Sequence, residues 1–174
     1  GLQVLAMTPP MTASQLGDPT FKEDYNLKYA YKTGAMANGI ATEELVIEIG
    51  KAGFLGSYGA AGQVPERVLQ GIDKIQTSLP TQSYAFNLIH SPNEPELENT
   101  LVDLYLQRGI KLVEASAFLD LTPALVRYRT HGLTRDDDGN VVAPNHVVAK
   151  VSREEVAAKF FAPPPERFLQ ELVA

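Results

Sequence analysis

One pattern, repeated five times, constrains this 174-residue chain more than anything else in it: a short apolar run, a turn, then an amphipathic helical stretch. The first run is 27–31. It is followed by the turn Gly34-Ala35-Met36-Ala37-Asn38-Gly39 and a helix over 42–52, with Thr42 as N-cap, Glu43 and Glu44 in the first turn, and Gly53 as the stop. The second run, 54–58, precedes a helix opened by Pro65 that carries Val68, Leu69, Ile72 and Ile75 on one face. The third, 84–89, leads through the capping-box-like Asn93-Glu94-Pro95-Glu96 to a helix striped by Leu97, Leu101, Leu104 and Tyr105 and ended by Gly109. The fourth, 110–115, is followed by Thr122-Pro123 and a helix with Leu125, Val126 and Tyr128, closed by Gly132. The fifth, 146–151, runs into a capping box at 152–155.

Strands that alternate with helices at this spacing predict an α/β fold with a parallel sheet, and their lack of polar alternation predicts a sheet covered by helices. Two architectures meet that description. An open flavodoxin-like sheet needs five strands and would be complete, whereas a parallel (β/α) TIM barrel needs eight units and roughly 250 residues, so these would be its first five. The chain starts at Gly1 without Met and stops at Ala174 inside an apolar helical pattern, from which we expect a chain cut at both ends.

Composition removes several classes of function. Fifteen basic and twenty-one acidic residues give a net charge of -6, which repels phosphate backbones, so nucleic acid is not an expected partner. Without cysteine there is no disulfide, thiolate metal site or cysteine nucleophile. No apolar run is long enough for a membrane span, and residues 1–21 lack the basic and apolar regions of a signal peptide, so a cytoplasmic setting is expected. Residues 1–27, rich in Pro, Thr, Gly and Asp, read as an irregular lead-in lying across a neighbouring surface.

Candidate site residues gather where the runs end. Gly53, Gly56, Gly59 and Gly62 recur every third residue in GFLGSYGAAG, a spacing that is neither a dinucleotide fingerprint nor a P-loop. Such glycines either make tight turns or let the backbone approach a flat ligand at the C-terminal strand ends, and Gly34 to Gly39 pose the same choice. Asn87, Glu114 and Lys150 fall on the C-terminal sides of three successive runs; buried there, they need partners, and Lys150 needs an anion. His90, His131 and His146 have no metal-ligand spacing, so no metal is expected and they read as structural. The acidic 136–140 stretch lacks the glycine and glutamate of a calcium loop and reads as a solvated turn. Arg127, Arg129 and Arg135 are a solvated helix face or a patch for an acidic partner.

The segments YAYKTGAMANGIAT, GFLGSYGAAG, NLIHSPNEPELE, ASAFLDLTPALVRYR and HVVAKVSREEVAAKFFAPPPE, in this order, resemble the trans-acting FMN-dependent enoyl reductases of polyunsaturated-fatty-acid and polyketide synthases, which are similar to nitronate monooxygenases. The resemblance runs almost end to end and decides for the barrel, with 1–27 as lead-in and 28–174 as a partial FMN-binding barrel. It implies that Gly34, Ala35 and Met36 line the flavin, with Gly56, Ser57 and Gly59 beside it, and that Asn87 and Lys150 bond its ring or ribityl chain, Glu114 being a weaker candidate. The implied reaction is reduction of a trans-2-enoyl thioester on acyl carrier protein, with NADPH as reductant and FMN between, hydride reaching the β-carbon and a proton the α-carbon. Implied partners are the carrier protein, other synthase subunits and a second copy in a homodimer. The family's Gly-Gly-His segment, source of its catalytic histidine, has no counterpart here, so no catalytic residue is assigned in this chain. Alone, it is expected neither to hold FMN tightly nor to turn over. A nitronate monooxygenase-like flavoenzyme and a non-catalytic docking domain of a synthase are the competing functions.

Overall fold

The computed structural model describes residues 3–173, so the first two positions of the lead-in and the last residue lie outside it. Strands β1 (Gly56–Tyr58), β2 (Tyr84–Ile89), β3 (Leu112–Ser116) and β6 (His146–Ala149) pair in parallel and lie side by side in chain order. Before β1, Lys32 forms a parallel bridge to Leu55, flanked by Thr33 N–H donating to Leu55 O (2.9 Å) and Leu55 N–H to Tyr31 O (3.1 Å). The sheet therefore reads Lys32, β1, β2, β3, β6, without a reversal.

The order matters because of where it puts the helices. Residues of α2 (Glu43–Lys51), α3 (Pro65–Ser78), α4 (Pro95–Gln107) and α5 (Pro123–Thr130) share one core with Tyr58, Phe86, Leu88, Val113 and Ala115. Successive strand residues point to opposite faces, so all four helices cover one face. A doubly wound sheet reverses its strand order and carries helices on both faces, so the flavodoxin-like alternative does not describe this chain. The other face carries a smaller cluster, Leu55, Ala85 and Leu112, packed by Phe21, Tyr25, Leu27 and Val148.

Two expectations for the first 31 residues need correction. The run 27–31 is not a strand: Tyr31 N–H turns back to Tyr29 O (2.7 Å), while Tyr29 stacks on Phe54 and Tyr31 meets the same ring edge-on. Aromatic packing outcompetes pairing there, leaving only the Lys32 bridge. Nor is the lead-in irregular throughout. Asp18 accepts from Thr20 N–H (2.9 Å) to cap α1 (Pro19–Asp24), whose Phe21, with Tyr25 beyond it, closes the N-terminal end of the helix-free face, where Tyr25 Oη meets His146 Nδ1 at 2.8 Å.

The caps at Thr42 and Thr122 form as expected, each hydroxyl accepting from the N–H three residues on (3.2 Å). The boxes at 93–96 and 152–155 do not: Glu94 and Arg153 are the N-caps of α4 and of α6 (Glu154–Phe161), and neither side chain bonds the helix end. The acidic turn joins a small antiparallel hairpin of β4 (Thr134–Arg135) and β5 (Val141–Val142), with Asp136 accepting from Asp138 and Asn140 N–H. The described chain ends in α7 (Glu166–Val173), which contacts α5.

Candidate functional site

The helix-free face has two levels. Its lower level, at the N-terminal strand ends, is the apolar cluster under α1; its upper level is polar and centres on Glu114. Asn87 lies beside Glu114 in register, and Ser57 lies beside Ala85 on the same face. All three polar side chains are buried.

Glu114 is the hub. Lys32 forms an ion pair with it, Ala35 N–H points at both carboxylate oxygens (3.3 Å each), and Lys150 Nζ stands 3.5 Å from Oε1. Lys32 also donates to Thr33 O (3.1 Å), so the first turn is tied to β3 by both backbone and side chain. Lys32 lies on the sheet's first edge, three strand spacings or roughly 14 Å from β3 along the sheet. The two side chains meet over β1 and β2, which a flat sheet would not allow, and the small Ser57 and Ala85 on those strands leave room for the crossing. The face is concave.

Asn87 is held from both sides. Its Nδ2 donates to Glu114 O (3.1 Å) and Ser116 Oγ (2.6 Å), while its own carbonyl accepts from the Tyr105 hydroxyl of α4 (2.7 Å). A backbone carbonyl can only accept, so the amide orientation is fixed and Oδ1 remains as an open acceptor. The Ser57 and Thr33 hydroxyls are buried with no partner among the described residues. Such groups are costly unless something else satisfies them.

The expected glycine contacts divide in two. A Cβ at Gly34 would meet nothing within 4 Å, leaving open space beside Ala35, and Met36 is 44% exposed next to it. At Gly59, by contrast, a Cβ would strike Met36 O at 1.8 Å, and at Gly56 it would strike Val46 Cα at 2.9 Å. Gly59 thus lets the first turn close on the strand end, where Gly39 N–H donates to Gly59 O (2.9 Å) and Gly59 N–H to Ala41 O (3.0 Å). Gly56 faces α2, on the other side of the sheet from Glu114.

Lys150 is not interior to a strand. It follows β6, with its N–H extending the ladder to Ala115 O (2.9 Å), and its side chain is 60% exposed; the anion its position calls for is Glu114. Lys32 escapes a reading of the sequence because its partner lies 82 positions away. A lysine closing the first unit and a glutamate at the centre of a fully buried strand are the signal that could have joined them.

The remaining candidates are structural. Arg127 bridges to Asp103 and Asn99 O on α4, and Arg129 donates to Asn145 O (2.6 Å), so neither is a free patch. His90 Nδ1 meets the buried Glu98 at 2.9 Å, binding the end of β2 to α4. Among the described residues no group of three His, Cys, Asp or Glu side chains could hold a metal, and no helix is long and apolar enough to cross a membrane. A cavity of about 360 Å³ between α5, β6 and α6 is lined by Leu125, Val147, Ala149 and Phe160, on the helix-bearing face and away from the polar cluster.

No family model matches the chain. It is 50% identical over 165 residues to a polyunsaturated fatty acid synthase subunit of Thraustochytrium sp., covering 95% of this chain and 11% of that protein. To the polyketide biosynthesis protein PksE of Bacillus subtilis it is 44% identical over 164 residues, covering 94% and 21%. The enoyl reductase domain of MlnA, from the macrolactin biosynthesis cluster of Bacillus amyloliquefaciens, superimposes with a TM-score of 0.89 at 40% identity, over 93% of this chain and 37% of that one. The chain thus spans about a tenth to a fifth of the curated relatives' length and just over a third of the solved domain. The similarity to synthase enoyl reductases inferred from the sequence is met in these relatives.

Proposed function

We propose that this enoyl-reductase-like chain supplies the first units of a β/α barrel that binds FMN on its concave face, in an enzyme reducing trans-2-enoyl thioesters on acyl carrier protein with NAD(P)H in polyketide or polyunsaturated-fatty-acid synthesis. The observation that carries the reading is the meeting of Lys32, Glu114 and Lys150 over a parallel sheet whose strands follow chain order. A sheet wound in one direction with helices on one face, curved enough for its two edges to reach the same carboxylate, is on course to close into a barrel. Its polar level lies at the C-terminal strand ends, where barrels place their chemistry.

The residues present fit a flavin ring. Asn87 Oδ1 can accept a ring N–H, the Ser57 hydroxyl can donate to a ring acceptor, and the open space over Gly34, Ala35 and Met36 can take a flat heterocycle. When bound, FMN supplies the hydride chemistry; the chain binds and orients it, keeps water from the apolar floor below, and presents a cation from Lys150 to electron-rich atoms. The histidine expected of the family and a phosphate site would come from residues beyond these, as barrels build phosphate sites from their last units. On that account the isolated chain neither retains FMN nor turns over. Other synthase subunits, the carrier protein and a second copy are its proposed partners.

The test is competition between substrates. Full-length protein should oxidise NAD(P)H when given a crotonyl thioester on carrier protein and should ignore alkyl nitronates under oxygen. Nitronate-dependent oxygen consumption without thioester reduction would replace this reading with a monooxygenase.

A further inference from the structure

Two ammonium groups and one carboxylate meet on the concave face, so the cluster holds one positive charge in excess. The contacts are unequal. Lys32, its side chain 17% exposed, forms the close ion pair and also donates to Thr33 O, while Lys150 stands off at 3.5 Å and is 60% exposed. Glu114 is 1% exposed and also faces Ala35 N–H, so its oxygens are largely engaged before Lys150 arrives. The surplus charge therefore resides on the more exposed lysine, which follows β6 at the C-terminal mouth.

We infer that Lys32 is a positioning residue: by occupying Glu114 it keeps the Lys150 ammonium free to stabilise negative charge that develops on the bound ligand. Without Lys32, a buried carboxylate lacking a counter-ion would capture Lys150, because leaving it unpaired costs more than drawing in the nearest cation. The site would then be neutral although Lys150 was still present. The anionic group could be the reduced flavin or the enolate oxygen of the thioester; both need a cation, and experiment separates them. Burial first, and the charge of Lys150 second, pull Lys32 down to about 8. Among the described residues Glu114 forms its ion pair and Lys150 is the cation whose charge it feels.

This inference rests on the proposed function for its ligand but not for its electrostatics, which allows the two to fail separately. Three variants of the full-length protein suffice: Lys32→Met, Lys32→Arg, and the double variant Lys32→Met with Glu114→Gln. In Lys32→Met, Glu114 captures Lys150; in the double variant the neutral amide releases it and the surplus charge returns. Sulfite affinity of the oxidised flavin should therefore fall about tenfold in Lys32→Met, hold in Lys32→Arg and recover in the double variant. If sulfite affinity is unmoved while kcat for the thioester follows the same fall and recovery, the charge served is the enolate. A purely structural Lys32 predicts a double variant no better than the single one in both measurements, and that result overturns the inference. If the protein carries no flavin, the functional reading fails, and crystal structures of the variants decide for Lys32. Lys150 Nζ, 3.5 Å from Glu114 in the native chain, should close on the carboxylate in Lys32→Met and stand off the amide in the double variant, and an unmoved Lys150 overturns the inference.

Discussion

Lys32 and Glu114 come from opposite ends of a three-strand crossing, yet they form the ion pair that joins the first turn of the chain to the centre of its sheet. Removing one member of a buried pair strands the other, so Glu114→Ala should destabilise the protein by about 3 kcal/mol, the lower end of the usual range because Lys32 keeps some solvent contact. Glu114→Gln, which can still accept from Ala35, should cost less. Urea unfolding of both variants checks the order.

The same lysine sets a dependence on pH. Its value of about 8 lies below the ordinary 10.5, so between these limits the unfolded chain binds more protons than the folded one. Lys32 therefore adds stability as pH rises from 8 towards 10.5 and withdraws it as pH falls back through 8. Melting curves across that window should show this slope in the native protein and a flatter one in Lys32→Met.

Gly34 and Gly59 should respond oppositely to alanine. At Gly59 the added methyl collides with Met36 O, so Gly59→Ala should cost about 3 kcal/mol by forcing the turn away from the strand end. At Gly34 there is open space and no left-handed backbone, so alanine should leave stability equal or about 0.5 kcal/mol higher. Because that space is where a flat ligand is proposed to lie, Gly34→Ala should still weaken flavin retention. Thermal melts and flavin content together separate the two effects.

Ser57 offers a similar separation. Its hydroxyl is buried and unpartnered among the described residues, so Ser57→Ala should stabilise the ligand-free protein by about 1 kcal/mol. If the hydroxyl serves the ligand, the same change should raise the Kd for FMN. Unfolding of the flavin-free form and flavin titration measure the two sides.

What the sequence reveals and what it hides follow from the range of the interactions. Thr42 and Thr122 are legible as caps because their partners are three residues away. The runs at 84–89 and 110–115 are legible because burial on both faces leaves an apolar stretch with no polar alternation. The first run misleads because Tyr29 and Tyr31 suit a strand by propensity yet pack on Phe54, a choice made by tertiary contact. Asn87, Glu114 and Lys150 are marked by position, and the structure brings the first two together and the third to their edge. Spacing groups Gly56 with Gly59, but strand alternation sends Gly56 to α2; the same alternation applied to 56, 57 and 58 singles out Ser57. The closing of the floor by α1 is not visible in the sequence, since Phe21 and Tyr25 acquire meaning only beside Leu55, Ala85 and Leu112.

The central claim is that this concave face holds a flavin, and FMN content tests it most directly. Full-length protein should purify with about one FMN per chain, and Asn87→Leu, which removes the fixed acceptor while keeping the same branching of heavy atoms, should lose most of it while remaining folded. A native protein without flavin, or an Asn87→Leu variant that keeps its full complement, would contradict the account.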